Sequence, residues 1–197
     1  ISLSLSGDGK TLAVGNPYSL NSSLNGVKSE VCVYSLVNNE WSQITNIQSD
    51  VFDNFGYTTS LSSDGKLLAV GGFYGEIGSA TDNAGYVKIF ENLNGNFTQV
   101  GDALTGDNTN NDEFGFSVDL SSDGSIVVVS SAQGGDVFVY QRNGSNWSQL
   151  GDTIEFYDYS SDTKPSSIRK QEAVVQTKIS EDGLLNRLKK SDIDEVD

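Results

Sequence analysis

One stretch, Phe114 to Ser130, FGFSVDLSSDGSIVVVS, constrains the fold more than any other, because it recurs. It returns upstream as FGYTTSLSSDGKLLAVGG, Phe55 to Gly72, and as ISLSLSGDGKTLAVGN, Ile1 to Asn16. Each copy reads as a strand, a tight turn and a second strand. The turn aspartates Asp8, Asp64 and Asp123 stand 56 and 59 residues apart. A period of this size signals propeller blades or solenoid units.

Other features keep the period. An aromatic closes a third strand at Tyr34, Phe90 and Tyr140, and another opens a fourth at Trp41, Phe97 and Trp147. Each unit therefore has four strands, about Phe55–Leu61, Lys66–Gly71, Gly85–Glu91 and Asn96–Leu104 in the second. The second strands, Leu12-Ala13-Val14, Leu67 to Gly71 and Ile126 to Val129, are continuous apolar runs, expected to be buried on both faces. The third alternates, with Tyr86, Lys88 and Phe90 on one face and Val87 and Ile89 on the other. The turn Ser63-Asp64-Gly65 suits the positive φ that Gly tolerates. Gly71 and Gly72 leave room for close approach of neighbouring backbones. The regular recurrence of Trp41, Phe97 and Trp147 predicts packing between blades rather than a ligand-binding ladder.

The fold class expected is all-β: a propeller or partial propeller of four-stranded antiparallel blades. The units are a first blade repeat over 1–50, a second over 51–109 and a third over 110–154. Residues 155–197 hold a long loop, a degenerate fourth repeat around Asp182 and an acidic tail. Leu184, Leu185 and Leu188 alternatively open a short helix there. Three blades and a remnant do not make a ring. The expectation is a fragment of a larger closed propeller; closure by several copies, or a capped stack, are the alternatives.

Composition narrows the chemistry. A net charge of −15 argues against nucleic acid and anionic membrane surfaces as partners. No stretch approaches the roughly 20 apolar residues of a membrane helix. The chain has no His, which removes Ser-His-Asp and Cys-His catalysis. Its single Cys, Cys32, sits in an apolar strand run and reads as a packing residue. Four Asn-x-Ser/Thr sequons, at Asn21, Asn96, Asn143 and Asn146, are glycosylation candidates. The acidic stretches Asp50–Asn54 and Asp107–Glu113 precede Phe-Gly and read as solvated loops, with Asp53 and Asp112 capping turns.

Phe-Gly-x-Ser-Val at 114–118, Ser-x-Asp-Gly at 62–65 and 121–124, and Leu-Ala-Val-Gly-Asn-Pro at 12–17 resemble FG-GAP-type repeats, those of the integrin alpha-subunit propeller. The resemblance covers 1 to about 154 well. It implies a propeller and, for many members, calcium sites. Those sites are not carried over here, because each turn offers one carboxylate against the several oxygen ligands calcium takes. No metal, cofactor or catalytic residue is assigned. The function expected is a non-enzymatic scaffold, adhesion or recognition module of a secreted, cell-surface or matrix protein, engaging a protein or glycan. The alternative is a structural subunit or assembly factor, docked through an unpaired strand edge or the basic Lys164–Lys190 region. Other copies of the chain, or missing blades, are needed to close the ring.

Overall fold

The computed structural model describes residues 1–20, 27–49, 53–75, 84–106, 112–133 and 135–155. Asn21, the Lys164–Lys190 region, the degenerate repeat around Asp182 and its helical alternative lie outside the described residues. So do Asp50–Phe52 and Asp107–Asn111.

The chain divides into two compact units, Ile1–Thr153 and Ile154–Asp197. In the second, Ile154 and Glu155 are described, as a short strand. The first holds three antiparallel sheets of four strands, each strand hydrogen-bonded to the next in sequence. Blade 1 comprises β1 (Ser2–Leu5), β2 (Thr11–Leu20), β3 (Val27–Val37) and β4 (Glu40–Ser49). Blade 2 comprises β5 (Thr58–Leu61), β6 (Leu67–Gly72), β7 (Tyr86–Leu93) and β8 (Asn96–Gln99). Blade 3 comprises β9 (Phe114–Leu120), β10 (Ile126–Ser131), β11 (Asp136–Asn143) and β12 (Asn146–Gln149).

The repeated phrase builds the same turn three times. Gly9, Gly65 and Gly124 take φ of 70°, 67° and 69°, the left-handed region that glycine enters at no steric cost. The Ser6, Ser62 and Ser121 hydroxyls donate to Asp8, Asp64 and Asp123 Oδ1 at 2.6, 2.8 and 2.6 Å. Each serine oxygen accepts the N–H that starts the next strand, from Thr11, Leu67 and Ile126. Each carboxylate also accepts the N–H two residues on, from Lys10, Lys66 and Ser125, at 3.0 Å. The Ser121 hydroxyl, then the Ser125 N–H and hydroxyl, pull the Asp123 carboxyl down to about 2. Asp8 is lowered chiefly by Ser6. For Asp64 burial works upward, but the Lys66 N–H and the Ser62 hydroxyl outweigh it. Carboxylates held below their unfolded values stabilise the fold above the ordinary Asp range and lose that contribution as pH falls through the lowered values.

Two apolar seams join the blades. Ala13, Val31 and Val33 of blade 1 meet Leu61, Leu68, Val70, Tyr86 and Phe90 of blade 2 around Phe55. Leu67, Ala69, Val87 and Ile89 meet Val118, Val127, Val129 and Phe138 of blade 3 around Phe114. The split of β7 therefore falls where alternation put it. Phe55 and Phe114 are 1% and 0% exposed. The glycines after them, Gly56 and Gly115, have φ of 85° and 88° and lie against the third strand of the preceding blade. The glycines ending the inner runs of blades 1 and 2 make room for them: a methyl at Gly15 or Gly71 would lie 2.1 or 2.2 Å from the Gly56 or Gly115 carbonyl oxygen. Serine hydroxyls continue the seams along the first strands. Ser4 Oγ accepts the Leu61 N–H and Ser60 Oγ the Leu120 N–H, both at 2.9 Å.

One expectation is corrected. Every residue of β6 is buried, as a doubly covered strand should be. In β10, however, Val127 and Val129 are 0% exposed while Val128 is 37% exposed. In β2 Ala13 is buried while Leu12 and Val14 are half-buried. The cause is position: β6 lies between two blades, whereas β2 and β10 each meet a blade on one side only among the described residues. The same asymmetry divides the recurring aromatics. Phe97 and Trp147 pack into the two seams, while Trp41 of blade 1 is 44% exposed.

Candidate functional site

The segment ahead of each Phe-Gly turns through one left-handed non-glycine residue, Asn54 or Glu113, both with φ of 55°. Asp53 anchors the first of these turns from inside. It is 1% exposed. Its Oδ1 accepts the Phe55 N–H at 3.0 Å. Its Oδ2 accepts from Ser49 Oγ at 2.6 Å and from the Tyr86 hydroxyl. Asp53 thus caps a turn as expected, but the solvated loop expected here is corrected: Asp53, Asn54 and Asp112 are buried, and the Asp53 carboxylate is engaged by protein donors. Burial first, then the bond to Asp53 and its charge, push the Tyr86 hydroxyl far above the usual tyrosine range. The Lys88 ammonium stands 4.6 Å from the Tyr86 ring centroid. Asp112, equally inward, receives the Ser131 hydroxyl on its carbonyl oxygen at 2.8 Å. Among the described residues no three His, Cys, Asp or Glu side chains converge as a metal site would need.

The same turns present four aromatic rings that the sequence reading passed over. Tyr57 and Phe116 follow Gly56 and Gly115, so they hold one repeat position. Phe73 and Tyr74 follow the end of β6. The Phe73 ring lies 4.4 Å from Tyr57, 4.3 Å from Tyr74 and 5.5 Å from Phe116, and Tyr57 lies 5.3 Å from Phe116. Phe73 is the buried centre; Phe116 is 38% exposed, and Tyr57 and Tyr74 are half-buried. Backbone bonds fix the rings to the anchored turn. The Tyr57 N–H donates to the Asn54 carbonyl at 2.9 Å and the Tyr74 N–H to that of Asp53 at 3.3 Å. Asn54 is fully buried and neither side-chain polar atom has a partner. A left-handed φ with an orphaned amide is a costly combination, of the kind that collects at functional sites. Such a patch offers ring faces and edges to apolar side chains or to the C–H face of a sugar. The sequence signal was present: an aromatic after Phe-Gly in two repeats, at a position a left-handed glycine turns outward.

The other sequence candidates fall elsewhere. Asn96, Asn143 and Asn146 are exposed on the β7–β8 and β11–β12 hairpins. Cys32 is half-buried on β3, its thiol pushed up by burial and then by the Glu30 charge. No helix among the described residues is long and apolar enough to cross a membrane.

No family model and no curated protein matches the sequence. Solved structures do match. A candidate 6-phosphogluconolactonase from Bacteroides fragilis aligns with TM-score 0.52 and 20% identity over 78% of this chain and 38% of its own. The periplasmic gluconolactonase of Pseudomonas aeruginosa aligns at 0.42 and 15%, over 83% of this chain and 59% of its own. The β-propeller domain of Cps50 (Swd1) from Myceliophteria thermophila aligns at 0.48 and 14%, over 78% and 42%. The three sheets and this likeness define a partial β-propeller. The chain spans 38% of the Bacteroides fragilis structure's length, so the likeness concerns the blades.

The expectation that the chain is not an enzyme is overturned at this point, because the Bacteroides fragilis structure that shares this architecture carries a 6-phosphogluconolactonase name. The absence of His removes two modes of nucleophilic catalysis. Carboxylates and hydroxyls, in which the chain is rich, remain able to transfer protons.

Proposed function

We propose that the chain is an FG-GAP-type propeller segment serving as a recognition module of a secreted or cell-surface protein, and that it binds a protein or glycan at the Tyr57–Phe73–Tyr74–Phe116 patch. The observation carrying this reading is Phe116. It is a large aromatic left 38% exposed, in a four-ring cluster fixed to a rigid seam rather than to a long loop. Aromatic anchors on rigid supports contribute most of the affinity at such surfaces. The exposed sequons at Asn96, Asn143 and Asn146 support the secretory assignment.

The test compares the wild-type chain with Phe116→Ser on glycan and peptide arrays. The expected result is a ligand class bound by the wild type and weakened about tenfold or more in the variant. A ligand bound equally by both would remove the patch from the function. A second reading, lactone hydrolysis, rests on the names of the fold neighbours. It predicts turnover of gluconolactone or its 6-phosphate above the uncatalysed rate, and no such turnover would sink it.

A further inference from the structure

The aromatic patch has a polar neighbour on blade 3. Tyr57 and Phe116 hold one repeat position, and so do Tyr74 and Gln133. The Tyr74 N–H donates to the Asp53 carbonyl and the Gln133 N–H to the Asp112 carbonyl, each at 3.3 Å. Glu113 holds the position of Asn54, with the same φ of 55°, and Gly115 at 88° that of Gly56 at 85°. The Asn54–Tyr57 turn is closed by the bond from the Tyr57 N–H to the Asn54 carbonyl, which brings its two ends within about 7 Å. Glu113 and Phe116 are the ends of the matching turn in blade 3. Blade 2 thus surrounds its turn with rings, whereas blade 3 sets a carboxylate and an amide beside Phe116. Glu113 Oε1 accepts from Gln133 Nε2 at 3.3 Å. Gln133 is exposed and Glu113 half-buried. Phe116 therefore has rings on one side, Tyr57 at 5.3 Å and Phe73 at 5.5 Å, and a bonded donor–acceptor pair on its own blade.

We propose that this surface takes a neutral sugar, whose C–H face lies on the Phe116 ring while two adjacent hydroxyls engage Glu113 and Gln133. The inference rests on the reading of the aromatic patch as a binding site and names its ligand class. The bond between Glu113 and Gln133 uses one carboxylate oxygen and one amide hydrogen. Glu113 Oε2, the second amide hydrogen and the amide oxygen remain for a ligand. An acceptor and a donor this close together suit two neighbouring hydroxyls of a sugar ring, each of which both gives and accepts a hydrogen bond. The Phe116 ring supplies the apolar contact that the hydroxyls do not. Charge excludes an anionic ligand. Among the described residues no Lys or Arg pairs with Glu113: Lys66 pairs with Asp64, Arg142 with Glu91, and Lys88 stands over the Tyr86 ring. A phosphate, sulfate or uronate would meet a carboxylate that nothing offsets. The rings pack on one another at 4.3 to 5.5 Å, so they form a platform for a flat face rather than a slot for a peptide side chain.

The test titrates methyl glucoside, methyl galactoside and methyl mannoside into the 197-residue chain, read by saturation-transfer NMR and calorimetry. At least one should bind, with transfer strongest at its ring C–H protons. Phe116→Tyr keeps the ring and should bind as the wild type does, whereas Phe116→Leu should bind about threefold to tenfold more weakly. Glu113→Gln and Gln133→Ala should each weaken binding about fivefold or more. Gln133 is exposed, so its replacement should leave the blades folded, which circular dichroism checks. A deoxy sugar lacking one of the two hydroxyls should lose no further affinity in the variant that removed its partner, a coupling that a structural role alone would not produce. No binding of the three sugars at high millimolar concentration overturns the proposal. A ligand, sugar or peptide, bound through Phe116 but indifferent to Glu113→Gln and Gln133→Ala also overturns it, and leaves the aromatic patch standing as a recognition site. Sugar binding unchanged in Phe116→Ser removes the patch and this proposal together.

Discussion

Replacing Gly71 with alanine is expected to unseat blade 3 from blade 2 and to lower the melting temperature by roughly 6–12 °C, the equivalent of about 3 kcal/mol in a chain of this size. The added methyl would lie 2.2 Å from the Gly115 carbonyl oxygen and 2.5 Å from Thr58 Cγ2. The first of these is backbone, so relief needs the two blades to move apart. That movement would open the seam around Phe114, whose ring lies 5.3 Å from Phe138 and 6.3 Å from Tyr140. Gly71 does not have the positive φ of the turn glycines, so the loss would be steric and not conformational. Gly144→Ala supplies the opposite control. It has φ of 66° and nothing within 4 Å of the added methyl, so it should cost only about 1–2 kcal/mol of backbone strain. Thermal melting of both variants, with amide exchange read along Phe114–Leu120, makes the comparison. A Gly71→Ala protein that melts with the wild type, and protects those amides equally, would show that the seam does not depend on that glycine.

What the sequence made legible here is what repeats through local chemistry. Ser-x-Asp-Gly closes the same turn three times because every partner in it lies within five residues. Gly71 and Gly72 after the second inner run could be read as places of close approach, and at Gly71 that is what the backbone shows. Burial was legible only where both neighbours exist. Leu67–Gly72 and Ile126–Ser131 look alike as apolar runs, yet Val128 is exposed while Ala69 is not. The difference lies in how many blades flank each strand, a quantity no local pattern encodes. The aromatic patch was missed for a related reason. Tyr57 and Phe116 come from different repeats, and Phe73 and Tyr74 from a strand end after the inner run. Their convergence is a product of blade packing. Trp41, Phe97 and Trp147 drew attention instead because they recur in all three repeats, although only Phe97 and Trp147 pack into a seam and Trp41 is 44% exposed.

Asp53→Ala should be the most damaging polar substitution, and its effect should be tied to alkaline pH through Tyr86. Removing the carboxylate strands three donors, the Ser49 and Tyr86 hydroxyls and the Phe55 N–H. A buried donor left without an acceptor costs about 1–3 kcal/mol. With partial relaxation the total should be about 4 kcal/mol, and the aromatic patch should loosen with it, since Tyr74 hangs from the Asp53 carbonyl. Tyr86→Phe isolates one of these bonds and should cost about 1–2 kcal/mol at neutral pH. The sign of the pH effect follows from the raised hydroxyl. In the unfolded chain Tyr86 ionises near about 10, while in the fold burial and the Asp53 charge hold it neutral well beyond that. The unfolded state therefore sheds its proton first, and stability present below about pH 10 is lost as the pH rises further. Tyr86→Phe has no proton to lose at this site, so its melting temperature should fall less steeply above pH 10 and approach that of the wild type. Parallel curves for the two proteins up to the highest pH at which the wild type stays folded would mean that the hydroxyl is not buried against Asp53.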